Sequence, residues 1–176
     1  NVSKAFGDEW DRQHVISDMT LDIPPGKMTV VVGPSGCGKS TLVNLIAGFE
    51  RPDSGTILLD GNPVTRPAKD RMVVFQETAL IPWQTTYQNV VFGPKLRGDL
   101  RGKALEDEAK RLLVKVGLGE FMHKYPLQLS GGMQMRVALA RAIVMNPAVL
   151  LMDEPFAALD DLLRMQLETE VRGIHD

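Results

Sequence analysis

The spacing of apolar positions changes character about half-way along the chain. Up to residue 75 the apolar groups are short and strand-like: Ile16, Met19, Leu21 and Ile23 alternate as a half-buried strand does. Met28–Val32 and Met72–Phe75 are denser runs of the kind that predict strands buried on both faces. Lys39–Ala47 breaks the trend, because Leu42, Leu45 and Ile46 fall at helical spacing directly after a glycine-rich turn, and Ile57–Leu59 returns to strand. Strand, turn, helix and strand in that order predict a βαβ start. From Tyr87 to Met145 the spacing is helical, with Ala109, Leu112, Leu113 and Val116 on one apolar face, and the charged run 99–111 is predicted to be the solvated side of such a helix. Ala148–Met152 is again a short apolar run, ending in Asp153-Glu154-Pro155, and Leu162–Val171 is predicted as a last helix. Turn signals stand at Pro24-Pro25-Gly26, Pro52-Asp53-Ser54-Gly55 and Gly61-Asn62-Pro63, but no repeat or long linker divides the 176 residues, which suit one domain.

The most specific local sequence is Gly33-Pro34-Ser35-Gly36-Cys37-Gly38-Lys39-Ser40-Thr41, between the predicted strand Met28–Val32 and the predicted helix Lys39–Ala47. That context is the one a phosphate-binding loop requires. Glycines let backbone N–H groups turn inward around phosphate oxygens, and the helix N-terminus adds its positive dipole. Lys39 neutralises the β and γ phosphates, and the Ser40 hydroxyl is available to Mg2+. An incidental glycine-rich turn would account for the glycines, but not for strand, lysine and hydroxyl together. Asp153 and Glu154 follow an apolar strand, at the sheet edge where ligands bind in α/β proteins. Asp153 can reach Mg2+ through water, and Glu154 can polarise an attacking water as general base; the plainer alternative for both is a solvated turn.

Charge and composition narrow the classes. Twenty basic against twenty-two acidic side chains leave a net charge of -2, without the basic excess that nucleic-acid binding demands. The longest apolar stretch is the five residues 148–152, far short of the roughly twenty a membrane-spanning helix needs. A single cysteine, Cys37, excludes an internal disulfide framework or a cysteine zinc cage and suits a reducing compartment. The chain opens at Asn1 with no basic-then-apolar leader, and truncation at both ends is expected.

Leu129-Ser130-Gly131-Gly132-Met133-Gln134 lies between the two motifs and resembles the signature of ATP-binding cassette (ABC) proteins. The resemblance covers nearly the whole chain: phosphate loop, Gln76 after the run Met72–Phe75, signature, Asp153-Glu154, and Ala158-Leu159-Asp160 like the family's D-loop. Leu80-Ile81-Pro82-Trp83 is similar to a stretch in ATPase subunits of bacterial nitrate, sulfonate and taurine importers. The resemblance implies an α/β P-loop NTPase core with an antiparallel β portion, spanning 1–176 as one nucleotide-binding domain with a helical subdomain inserted at about 77–145. It implies an Mg2+-dependent ATPase that powers solute import. In that reading Ser130, Gly131 and Gly132 serve the ATP of an opposed second copy or homologous subunit in a head-to-tail dimer. Gln76 senses the metal and γ-phosphate, and the segment after it contacts a transmembrane permease subunit. A solute-binding protein is an indirect partner, nucleic acid is none, and the location is peripheral, on the cytoplasmic face of the inner membrane.

Phe6 occupies the place of the family's adenine-stacking aromatic, with core packing as the rival reading. Trp83 either docks a helix of the membrane subunit or caps the helical subdomain. Met135 and Asp161 depart from the family's usual residues. The family's switch histidine is expected beyond Asp176; His175-Asp176 mimics it but follows no buried strand. His14 and His123 are expected to be surface or packing histidines. Two rival functions remain: a non-transport member of the superfamily, and a regulatory module that binds nucleotide without hydrolysing it. Repair members place a coiled coil between the loop and the signature, whereas only about ninety residues without heptads separate Lys39 from Ser130 here. Glu154 argues against the regulatory module, since a sensor needs no general base.

Overall fold

A computed structural model describes residues 1–8, 10–98 and 101–153, and the chain divides into two units, Asn1–Arg71 and Met72–Asp176. Glu154, the D-loop-like Ala158-Leu159-Asp160, Asp161, the helix predicted over Leu162–Val171 and His175 lie outside the described residues.

In the first unit the antiparallel β expectation is met by β1 (Val2–Phe6) and β2 (Gln13–Met19), which pair with Phe6 opposite Gln13 and Lys4 opposite Ile16. Asp53 ties this hairpin to the turn at 52–55: its carboxylate accepts from the Ala5 N–H at 2.9 Å and from Arg12 at 3.0 Å, with Lys4 at 3.8 Å. These donors hold the Asp53 carboxyl below the ordinary carboxylate range, the Ala5 bond foremost. Helix α1 (Lys39–Ala47) has the predicted bounds, and ends at Gly48 in the left-handed conformation. Its Leu42 and Leu45 pack with Ile16, and with the half-buried Val2, Val15, Met19, Ile46 and Ile57. A second hairpin pairs β3 (Leu58–Leu59) with β4 (Asn62–Pro63); Asp60 and Gly61 both adopt positive φ, as a two-residue hairpin loop requires.

Two expectations fail here. Met28–Val32 is not a strand: it belongs to none of the two-stranded sheets, and Met28, Val30, Val31 and Val32 are exposed, Val32 to 86%. Apolar density states what a segment can bury, whereas a strand also needs a ladder partner, and no described strand pairs with this one. Likewise the alternation through Leu21 and Ile23 outruns its strand. Asp18 sits at φ 48°, β2 ends at Met19, and both later residues are exposed ahead of Pro24-Pro25-Gly26.

The second unit pairs β5 (Arg71–Val74) with β6 (Val149–Met152). The Asp153 N–H donates to the Val74 carbonyl at 3.0 Å, so the carboxyl ends of the two strands lie side by side. Burial is less complete than predicted: Val74 is buried, Met72 and all of β6 are half-buried, and Phe75 lies past the strand and is exposed. The helices are α2 (Thr86–Arg97), α3 (Gly102–Lys115) and α4 (Gly131–Ile143). Helix α2 starts with a reciprocal capping box between Thr85 and Gln88 and stops at Gly98 in the left-handed conformation. In α3 the predicted stripe faces inward: Ala109, Leu112, Leu113 and, at its C-cap, Val116 are fully buried, with Val90, Val91, Val137 and Ala140 in the same cluster. Burying a leucine of this kind contributes about 1.5–3 kcal/mol. The outer face of α3 carries the ion pairs Glu106–Lys110 and Glu108–Arg111, which solvent screening leaves weak.

Candidate functional site

The predicted phosphate loop, 33–41, belongs to the first unit. Gly33 through Cys37 and Ser40 are exposed, while Gly38, Lys39 and Thr41 are half-buried. Gly38 precedes α1 at φ 99°, and a Cβ there would lie 2.9 Å from the Val15 Cγ1 and 3.1 Å from its carbonyl oxygen, so only glycine fits. Helix α1 has neither a side-chain cap nor an acidic residue in its own first turn, so its positive N-terminal end is not offset from within the helix. The Lys39 ammonium folds back across the loop and donates to the carbonyls of Gly33 and Pro34, at 3.0 Å each. Cys37 is an exposed thiol whose sulfur lies 2.7 Å from where a Gly33 Cβ would stand.

Phe6, in the same unit, ends β1 and is exposed, outside the apolar cluster of Ile16, Leu42 and Leu45. Core packing is therefore not its role. The Lys4 ammonium lies 5.0 Å from its ring centroid. His14 and His123 are surface residues, and Trp10 is 97% exposed.

In the second unit, Gln76 and Asp153 leave the β5–β6 pair at the same edge, two residues after Val74 and one after Met152. Gln76 is exposed and borders a cavity of about 460 Å3, whose walls also include Thr78, Leu80, Leu127, Gly131 and Gln134. Across this cavity stands the start of α4. Ser130 caps it in extended conformation, its hydroxyl accepting from the Met133 N–H at 3.3 Å. The Gln134 amide braces the approach by donating to the carbonyls of Pro126 (2.9 Å) and Leu129 (3.3 Å). Gly131 is exposed and a Cβ there would meet nothing within 4 Å, whereas Gly132 is buried. Glycine within a helix costs stability relative to alanine, and no neighbour among the described residues requires it at 131. Trp83 is 77% exposed, which does not fit a cap on the helical subdomain; Met135 is buried against Val74, Ala138, Leu139 and Ala142, which explains an apolar residue at that position.

The family model described as ABC transporter matches residues 16–157. The chain belongs to the ABC transporter family. The taurine import ATP-binding protein TauB of Yersinia pestis is 46% identical over 168 residues, which cover 96% of this ABC chain and 65% of that protein. The nitrate import ATP-binding protein NrtD of Synechococcus elongatus is 44% identical over 174 residues, 98% of this chain and 64% of that protein. This ABC chain therefore spans a little under two thirds of the length of either import protein. A solved ATP-binding cassette, a dimer in a post-hydrolysis state bound to ADP and phosphate, superposes with a TM-score of 0.87 at 30% identity, covering all of this chain and 81% of that one. The fold is accordingly that of the ABC ATPases, the α/β P-loop class that the motifs imply.

Some polar residues that organise the site were not legible as such. Asn89, wholly buried, donates to the carbonyls of Ile81, Gln84 and Thr85 at 3.1 Å each and accepts from the Ile81 N–H at 2.8 Å. Arg141 bonds the backbone beyond Gln76. The available signal was a polar residue at an inward helical position beside Val90, and an arginine within the apolar run 137–143.

Proposed function

We propose that this chain is the nucleotide-binding part of an ATPase subunit that drives solute import through a membrane transporter, with sulfonate or nitrate as the solute class of its named relatives. The observation that supports this best is the loop Gly33–Thr41 on the uncapped N-terminus of α1, with Lys39 folded across it: a built receptor for polyphosphate. In this reading Gly33, Pro34, Ser35, Gly36, Cys37, Gly38, Lys39, Ser40 and Thr41 surround the phosphates of ATP, and Phe6 stacks on adenine. Gln76 and Glu154 act on the water that attacks the γ-phosphate, with Glu154 as general base.

Ser40, Gln76 and Asp153 supply hydroxyl, amide and carboxylate oxygens, the donors Mg2+ accepts. No cluster of three His, Cys, Asp or Glu among the described residues could cage a metal, which fits an ion carried in with the phosphates. When bound, Mg2+ neutralises charge on the β and γ phosphates.

The partners follow from the same chemistry. Ser130, Gly131 and Gly132 present a capped helix start to the nucleotide of a second, head-to-tail subunit, and the open space at Gly131 favours close approach of a group from outside the chain. The cavity beside Gln76, with exposed Pro82, Trp83 and Leu127 near it, suits an apolar segment of a permease subunit. A peripheral place at the cytoplasmic face is the proposed location, on the likeness to import ATP-binding proteins; no helix among the described residues is long and apolar enough to cross a membrane. The contrary reading, a sensor that binds and does not hydrolyse, lacks any use for Glu154.

The test uses the full-length subunit. Lys39→Ala abolishes high-affinity ATP binding. Glu154→Gln keeps binding but lowers turnover about a hundred- to ten-thousandfold, and accumulates a nucleotide-bound dimer of doubled mass in gel filtration. Wild-type turnover in Glu154→Gln removes Glu154 from the mechanism; unchanged ATP binding in Lys39→Ala removes the loop.

A further inference from the structure

The loop after Gln76 is held from two sides by side chains that reach its backbone. On one side stands Asn89, which occupies the polar groups of Ile81, Gln84 and Thr85. On the other stands Arg141, in the last turn of α4, whose guanidinium donates one N–H to the Thr78 carbonyl at 2.7 Å and another to the Ala79 carbonyl at 2.8 Å. Those bonds bridge 63 and 62 residues of sequence, and reach the second and third residues after Gln76. The two carbonyls are met by separate nitrogens of one rigid plane, Nη2 on Thr78 and Nη1 on Ala79, a fixed spacing that the single nitrogen of a lysine does not impose.

Ala79 is also strained. It adopts φ 44°, in the left-handed region that alanine avoids, although no glycine stands there. Such a conformation persists only where surrounding contacts over-determine it, and the Arg141 bond to its own carbonyl is such a contact. Burial draws the Arg141 guanidinium pKa down by desolvation, and its bond to the Thr78 carbonyl is partly buried. The helix that carries Arg141 begins at Ser130, and Gly131 and Gln134 from its first turns share the cavity wall with Gln76–Leu80.

We propose that Arg141 is a positioning residue that clamps the strained Thr78–Ala79 backbone to the helix begun by Ser130, so that the Gln76 loop and the signature helix move as one piece. The inference rests on the reading of Gln76 and Ser130 as nucleotide-facing residues. It gives that reading a mechanical element: displacement of α4 by a nucleotide at its start is transmitted to the segment bordering the permease-facing cavity.

The test compares full-length Arg141→Lys, Ala79→Gly and the double variant, by ATPase kinetics and by hydrogen exchange of the 76–85 segment. Arg141→Lys is expected to raise exchange in that segment without nucleotide, to lower kcat about ten- to a hundredfold and to change KM by less than about twofold, because positioning rather than binding is lost. Ala79→Gly alone is expected to leave both readouts near wild type. Added to Arg141→Lys it should restore part of kcat, since glycine holds the left-handed conformation without a clamp. Unchanged exchange at 76–85 in Arg141→Lys overturns the proposal, as does a fall in global stability and kcat that Ala79→Gly leaves untouched. A Gln76→Ala variant separates the two readings. If its turnover is wild type, the assignment of Gln76 fails, while the clamp stands or falls on exchange alone.

Discussion

Two helices in this protein begin at glycine-rich sequence, and they are held in different ways. Helix α4 is capped by its own chain: Ser130 accepts from Met133, Gln134 braces two preceding carbonyls, and seven of the helix residues are buried. Helix α1 has no side-chain cap, buries only Leu42, Leu45 and Ala47, and is entered through a left-handed Gly38 wedged against Val15. The loop 33–41, proposed to hold phosphate, is thus shaped by backbone conformation, while the turn at 129–131 is shaped by side chains and packing. A loop of the first kind yields its geometry to a ligand that satisfies its N–H groups; a turn of the second kind is formed before any ligand arrives.

The comparison can be broken at several points. The largest effect is expected at Cys37: if the loop closes on phosphate, Mg-ATP strongly suppresses maleimide labelling of this exposed thiol in the full-length protein, and equal rates with and without nucleotide place it outside the site. Next come the two glycines. Gly38→Ala meets both a positive φ and a 2.9 Å contact, and should destabilise by about 1–3 kcal/mol in urea unfolding. Gly131→Ala meets nothing, and should leave stability equal or about 0.5–1 kcal/mol higher, while lowering turnover if a partner's nucleotide approaches there. Ser130→Ala removes the cap and should cost about 0.5–2 kcal/mol, whereas Ser130→Asp keeps the cap but sets a charge against phosphate, so stability and turnover separate.

The smallest effect concerns pH. Asp53 is held below the ordinary carboxylate range first by the Ala5 N–H, then by Arg12. Its folded-state pKa is depressed, so its contribution is present above about pH 4 and is lost as pH falls through the folded value. Asp53→Asn should flatten the acid limb of the stability profile and loosen the hairpin that carries Phe6. An unaltered acid limb would show that Asp53 does not anchor β1.

Motifs that carry their own chemistry were legible without a structure. The bounds of α1 and the inward face of α3 at Ala109, Leu112, Leu113 and Val116 follow from spacing, because a helix is made of contacts local in sequence. Met28–Val32 was misread for the opposite reason: strand formation depends on a partner elsewhere in the chain. Apolar alternation likewise continued through Leu21 and Ile23 because it carries no mark of the left-handed Asp18, near which β2 ends.

The sequence by itself pointed to a candidate phosphate loop at 33–41, to a signature-like run at 129–134 and to a carboxylate after an apolar strand, since each is a short run whose residue types carry a local meaning. Tertiary structure alone decided that Gln76 and Asp153 leave one sheet edge, because the two meet only through the pairing of β5 with β6, strands far apart in sequence. It alone decided that Phe6 and Trp83 face outward rather than into a core, and that Met135 fills one. It also joined Arg141 to Thr78 and Ala79 across more than sixty residues, a pairing of side chain with backbone carbonyl that no residue pattern encodes, since every residue carries the same carbonyl.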